Sequence, residues 1–320
     1  MSRVYALRSR YHGALLGLAA GDALGTTLEF KSPGTFEPVS DIVGGGPFGL
    51  APGQWTDDTS MALCLAESLV ERGGFDPEDQ MRRYVRWYRE GYLSSTGTCF
   101  DIGGTVGAAL RRFEVSGDPY AGETDSGSGG NGSLMRLAPV PLAYAEAPEE
   151  AIRLAGGMSR TTHAAPEPVD ACRYYAGLIV GALEGRPKET LLDNRFSPVP
   201  GMWQREPLST RIDVIATGSF KERHPPAIRG TGYVVDALEA ALWAFRHTDD
   251  FETGALAAVN LGDDADTTGA IYGQLAGVFY GIEGIPGRWR DKLAMSDRIF
   301  CLADDLLELS GRIEKIEGDR

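Results

Sequence analysis

Two short acidic segments, far apart in the chain, carry the residue types that hold hard cations. QWTDDT at 54–59 sets Thr56, Asp57, Asp58 and Thr59 in succession, and GDDADTTG at 262–269 repeats the pattern with Asp263, Asp264, Asp266, Thr267 and Thr268. Carboxylate and hydroxyl oxygens are the donors that Mg²⁺ and Mn²⁺ select. Carboxylates packed this densely repel one another unless something offsets their charge, and two such clusters face to face can hold a pair of ions roughly 3.5–4 Å apart. Either segment alone also reads as a helix start, because Thr and Asp cap helix N-termini and complement the dipole, a purpose that one of them would satisfy. Recurrence of the pattern, each time directly before an apolar helical run, favours the metal reading.

The elements that must position these residues are helices. Apolar side chains recur at helical spacing over 59–70, 169–183, 234–245 and 267–280, while strand-like alternation is almost absent, so the expectation is all-α. Ser296 and Asp297 read as the cap of a helix running to Leu309, and Pro148 with Glu149 and Glu150 as the opening of another. Glycines four apart recur in GALLGLAAGDALG (13–25), GLIVGALEG (177–185) and GAIYGQLAGVFYG (269–281). That rhythm lets neighbouring helix backbones approach closely and implies no chemistry by itself. Two irregular stretches, the Gly- and Pro-rich 32–53 and ETDSGSGGNGS at 123–133, read as site-lining loops rather than linkers, and 195–206 as a surface connection. Composition does not shift across them, so 1–320 reads as a single domain.

Charge and cysteine content exclude other classes. With 31 Lys plus Arg against 45 Asp plus Glu, the formal charge is −14, and without a basic cluster no nucleic-acid binding is expected. An acidic protein that handles a phosphorylated substrate needs backbone N–H groups or bound cations to supply a local positive field. Cys64, Cys99, Cys172 and Cys301 are scattered, which suggests neither disulfides nor a zinc site and fits a reducing cytoplasm. Arg3, Arg8 and Arg10 give a basic start, but the apolar run 14–20 is too short to span a bilayer and ends at Asp22, so no signal peptide, anchor or membrane insertion is expected.

Taken in order, GALLGLAAGDALGTTLEF, QWTDDTSMAL, DIGGT, GGNGSLMR, SRTTHAAP, GYVVDALEAALWAF and GDDADTTGAIYGQLAG cover the chain from Gly13 to about Gly284. This series resembles the ADP-ribosylglycohydrolases, the family of the dinitrogenase-reductase-activating glycohydrolase and the ADP-ribosylarginine hydrolases. The resemblance implies a compact bundle of many helices with a central cleft for two divalent cations, Mg²⁺ or Mn²⁺. Thr56, Asp57 and Asp58 would be ligands from one side and Asp264, Asp266 and Thr267 from the other. Glu29, in LEF, matches a loop glutamate able to approach the metal centre; as an isolated residue it reads as an ordinary exposed carboxylate. Asp101, in DIGGT, matches an acidic position implicated in catalysis in some relatives, where a carboxylate must manage protons, with Asp58 also placed to poise a water; the alternative is that Asp101 caps a helix starting near Gly103.

By the same mapping the loop Ser128, Gly130, Asn131, Gly132, Ser133 and Met135 would meet the phosphates or distal ribose through free backbone N–H groups. His163 would line the ADP-ribose site, where a lone histidine otherwise reads as structural, and Gly232 and Tyr233 would stand at the diphosphate and adenine end. Gly104, Gly129 and the extra carboxylate of Asp263 depart from the family pattern. The implied activity is hydrolysis of the bond joining ADP-ribose to a protein side chain, with arginine the leading acceptor because the motif set is closer to the arginine-directed branch. The alternatives are an O-linked acceptor such as serine, a small ADP-ribosyl compound, or a non-catalytic ADP-ribose-binding module.

Overall fold

The computed structural model describes residues 3–125 and 127–312. The helical periodicity resolves into α1 (Arg3–Gly25), α2 (Asp57–Arg72), α3 (Pro77–Glu90), α4 (Gly104–Ser116), α5 (Pro139–Ala143), α6 (Pro148–Arg160), α7 (Pro166–Leu183), α8 (Lys188–Leu191), α9 (Met202–Arg205), α10 (Thr210–Ala216), α11 (Val234–His247), α12 (Phe251–Val259), α13 (Ala265–Tyr280), α14 (Gly287–Arg290) and α15 (Ser296–Leu309). Among the described residues extended backbone pairs only as isolated bridges, at Gly45 with Leu50, Glu123 with His163 and Gly130 with Tyr233. The all-α expectation therefore holds. Among the described residues the main hydrophobic core runs from Leu7 to Leu307 and encloses Trp55, Trp87 and Trp289, with a small second cluster of Ile228, Ala240 and Leu261. No helix among the described residues is long and apolar enough to cross a membrane.

The glycine rhythm of the first and last motifs turns out to be one interface. Gly13 faces Gly277, Gly17 faces Gly273, Gly21 faces Gly269 and Gly25 faces Ala265, so α1 and α13 run antiparallel with their backbones in contact. Four-residue spacing keeps the glycines on one helix face, and a Cβ at any of them would overlap a carbonyl group of the opposite helix. This register brings the C-terminal end of α1, with Asp22, against the N-terminal end of α13, with Asp264 and Asp266. The third glycine stripe packs differently: Gly177 faces Pro198 and Ile152, and Gly181 faces Phe196 and Leu191.

Gly273→Ala tests the interface. The added methyl meets the Gly17 carbonyl, and forcing two close-packed helices apart costs about 1–3 kcal/mol, more than the helix-propensity gain of roughly 1 kcal/mol. A lower denaturation midpoint is expected; a midpoint at or above that of the wild type would show that the backbone contact is dispensable.

Two sequence expectations need correction. Ser296 is the first residue of α15 rather than its cap; the preceding residue is Met295, at φ 51°, and no side chain caps the helix. The segment 195–206 is not merely a surface connection, since it contains α9, buries Met202 and Trp203, and has the Trp203 indole N–H donating to the Phe196 carbonyl at 3.0 Å. Pro148, Glu149 and Glu150 do open α6.

Candidate active site

The first acidic segment is held in place by a residue on another helix. Asp22, fully buried in α1, accepts from both the backbone N–H (2.9 Å) and the hydroxyl (3.0 Å) of Thr56 through Oδ1, and from the N–H (3.1 Å) and hydroxyl (2.6 Å) of Thr59 through Oδ2. No side chain of α2's own caps its N-terminus, so Asp22 satisfies donors that a local cap would normally take. Burial raises the Asp22 pKa to about 6, against the lowering effect of these bonds. Sequence reasoning missed this residue. The available signal was a lone carboxylate inside the Ala-, Leu- and Gly-rich run of 13–25.

Below the mouth of the site, acceptors outnumber protons. The single Thr56 hydroxyl proton lies within reach of Asp22 Oδ1 (3.0 Å), Asp58 Oδ2 (3.2 Å) and Asp266 Oδ2 (3.1 Å), and the Thr267 hydroxyl adds a contact to Asp58 Oδ2 at 3.3 Å. Asp58 Oδ1, Asp266 Oδ1 and Glu29 Oε2 are buried with no hydrogen-bond partner. Burial, then repulsion between neighbouring carboxylates, pushes the pKa of Asp57, Asp58, Asp266 and Glu29 upward. Burial likewise raises Asp264, whose Oδ2 accepts from Asn131 Nδ2 at 2.6 Å. Glu29, Asp101 and Asp266 offer oxygens all within 4.8 Å of one another. Partnerless buried oxygens in an all-oxygen donor set fit a hard divalent cation.

Glu29 is buried rather than exposed, so its bland reading fails. Its loop is tied to the second acidic segment by backbone bonds, Phe30 N–H to the Asp263 carbonyl (2.7 Å) and Asp263 N–H to the Lys31 carbonyl (2.8 Å). Asp101 does not cap α4, whose first residue is Gly104 and whose N-cap, Gly103, receives no side-chain bond. It sits instead in left-handed backbone (φ 57°) at the cavity wall, half-buried, and burial raises its pKa to about 7.

Above the carboxylates opens a cavity of about 750 Å³. Glu29, Asp57, Asp101, Asp264 and Thr267 line it on the acidic side, and Gly130, Asn131, Gly132, Met135, His163 and Gly232 on the other. Thr56, Asp58 and Asp266 lie beneath this surface, buried, rather than in it. Ser128, Ser133 and Tyr233 do not line the cavity. The Ser133 hydroxyl is turned to that of Ser159 at 2.8 Å. The Tyr233 hydroxyl donates to Glu167 Oε2 at 2.6 Å, and its ring covers Gly129, where any Cβ would collide with it. The Asn131 N–H is not free, because it donates to the Gly232 carbonyl at 3.2 Å.

The 32–53 segment contributes nothing to this cavity; the Thr27 hydroxyl pins it at the Gly44 carbonyl (2.8 Å) and Lys292 Nζ at Asp41 Oδ2 (2.8 Å). Of the 123–133 loop only Gly130 to Gly132 supplies cavity wall near the acidic centre, and Ser126 lies outside the described residues. The wall also includes Val106 and Thr231, which lie outside every motif, and Phe30, Ile102 and Thr105, which lie inside the LEF and DIGGT motifs without having been assigned a role. A Cβ at Gly104 would meet nothing within 4 Å, so the family departure there leaves open space.

An all-helical chain with an acidic, oxygen-only centre under a glycine-walled cavity defines a class of hydrolase able to hold a cation. The chain matches the ADP-ribosylglycohydrolase family over residues 3–315 and belongs to it. It is 43% identical to ADP-ribosylarginine hydrolase Tri1 of Serratia proteamaculans (strain 568), over 93% of this chain and 79% of that protein. It is 33% identical to the ADP-ribosyl-[dinitrogen reductase] glycohydrolase of Rhodospirillum rubrum, over 95% and 98% of the two chains. A solved structure described as an ADP-ribosylglycohydrolase-related protein complex superposes with a TM-score of 0.84 at 47% identity, over 96% of this chain and 99% of the other.

Proposed function

We propose that this chain hydrolyses the N-glycosidic bond between ADP-ribose and an arginine side chain of a modified protein. It does so with two divalent cations, Mg²⁺ or Mn²⁺, held by Thr56, Asp57, Asp58, Asp264, Asp266 and Thr267. The observation that carries the reading is the set of partnerless carboxylate oxygens of Asp58 and Asp266 beneath a cavity of ligand size. Arginine is favoured as acceptor by the relative at 43% identity, which is named as an arginine-directed enzyme. The chain acts as one unit over 1–320, and its free, scattered cysteines support a cytoplasmic site of action.

When bound, the cations would supply Lewis acidity, polarising oxygen ligands and lowering the pKa of a bound water. The chain's own groups do the rest. Gly130 and Gly132 let the backbone approach the diphosphate closely, and Met135, His163 and Gly232 complete the wall around it. Ser128, Ser133 and Tyr233 act through the backbone and packing of the loop. Asp58 poises the attacking water from beneath the cavity floor rather than by touching it. The water oxygen bonds to the anomeric carbon as the carbon–nitrogen bond breaks, and Asp101 takes the proton released from the water and passes it to the departing guanidine nitrogen. Glu29 closes the acidic side.

Incubation with arginine- and serine-ADP-ribosylated proteins, with Mg²⁺ or Mn²⁺ and with EDTA, tests the reading. Release is expected from the arginine-linked substrate, with EDTA abolishing it and lowering the melting temperature, because uncompensated carboxylates then face one another. Faster release from serine would make the acceptor O-linked. ADP-ribose binding without release from either would make the chain a binding module. Unchanged melting and turnover in EDTA would remove the cations.

A further inference from the structure

Arg136 ends the motif GGNGSLMR, yet it belongs to no part of the site described so far. Its side chain is fully buried, and the described partners of its guanidinium are neutral: the Gly132 carbonyl (2.7 Å), the Met61 sulfur (3.7 Å), the Thr162 hydroxyl (2.6 Å) and the face of the Tyr84 ring (4.7 Å). The Thr162 oxygen also lies 2.9 Å from Nδ1 of His163. On its other side the His163 ring meets the substrate loop: a Cβ at Gly130 would stand 3.2 Å from Nε2 and one at Gly132 3.0 Å from Cε1. The ring lines the cavity.

We propose that Arg136 and Thr162 are positioning residues that fix His163 in the tautomer with its proton on Nε2, presenting an N–H donor to an acceptor oxygen of the substrate. A guanidinium donates and never accepts, so in the Arg136–Thr162 bond the hydroxyl oxygen must be the acceptor. The hydroxyl proton is then free to point at the nearest acceptor, His163 Nδ1. An Nδ1 that accepts carries no proton, and a neutral imidazole must then carry it on Nε2. The opposite tautomer would leave two donors aimed at one hydroxyl oxygen and strand the buried hydroxyl proton without an acceptor. His163 is kept neutral chiefly by burial and then by Arg136, which together lower its pKa to about 3. The bond from Arg136 to the Gly132 carbonyl fixes the loop against the same ring, so donor and glycine wall are set by one side chain.

The expected effect on binding rests on the reading of His163 as a substrate contact; the tautomer does not. In ¹⁵N-histidine-labelled protein at neutral pH, long-range proton–nitrogen spectra should show His163, assigned by its loss in His163→Gln, with the proton on Nε2. Thr162→Val should abolish that fixed tautomer and raise KM about tenfold or more with a much smaller change in kcat, the size expected for one lost bond to a charged group. Thr162→Ser should restore both. A wild-type spectrum with the proton on Nδ1 overturns the inference, as does Thr162→Val with an unchanged tautomer and unchanged KM. If Thr162→Val does not fold, the wild-type and Thr162→Ser spectra decide. An Nε2–H tautomer in a protein that releases no ADP-ribose supports the relay while refuting the functional reading, so the two fail separately.

Discussion

Asp266→Ala is expected to lower kcat/KM by on the order of 10³, because interactions with a catalytic cation stabilise charge by several kcal/mol. Asp266 is where the acidic groups converge. Its Oδ2 accepts from Thr56, its Oδ1 is buried without a partner, and one of its oxygens lies within 4.8 Å of ligand-capable atoms of both Glu29 and Asp101. Two effects on stability, opposite in sign, distinguish loss of a ligand from simple damage. In chelator the variant should melt no lower than the wild type, since a carboxylate has been removed from a repelling set. On addition of Mn²⁺ the wild type should gain stability by preferential binding to the folded state, and the variant should gain much less. Thermal melts with and without metal, with isothermal titration of Mn²⁺, make the measurement. A variant that kept the full metal-induced gain would take Asp266 out of the ligand set.

The pieces of this site differed in how visible they were along the chain. QWTDDT and GDDADTTG could be recognised because every residue that matters in them is polar and within two positions of the next. The glycine rhythms were equally plain, but which stripe met which was not, since 13–25 and 177–185 carry the same spacing. Only the antiparallel register of Gly17 on Gly273 and Gly21 on Gly269 sets Asp22 beside the second acidic segment. Asp22 itself escaped because a single carboxylate in an apolar helix has no neighbour to give it meaning; its bonds run to residues 34 and 37 positions away. Direction was the other loss. Ser133 looked like its loop neighbours, but its hydroxyl turns to Ser159, and Tyr233 covers the loop from behind rather than facing the cavity. Ser296 shows the limit of capping rules, because the chain enters α15 through left-handed Met295 and leaves Ser296 inside the helix.

Asp101→Asn is expected to slow single-turnover release by about 10² or more while leaving ADP-ribose affinity little changed, the signature of a group that moves a proton in the transition state. The substitution is conservative for this position. Asp101 holds φ 57°, a region that Asn tolerates as readily as Asp, and it caps no helix, so the backbone has no reason to move. Asn keeps the size and one acceptor oxygen of Asp101 and removes only the capacity to take up a proton. Paired calorimetry with ADP-ribose and rapid-quench release from arginine-modified protein separate the outcomes. Near-wild-type release would pass the proton role to Asp58 or Glu29. Loss of affinity together with release would mean that Asp101 helps to hold the cation or the shape of the site, which its place within 4.8 Å of Glu29 and Asp266 oxygens permits. A purely chemical role requires intact affinity, because the proton moves only after the ADP-ribose group is bound and its contacts to the glycine wall do not depend on the charge of Asp101.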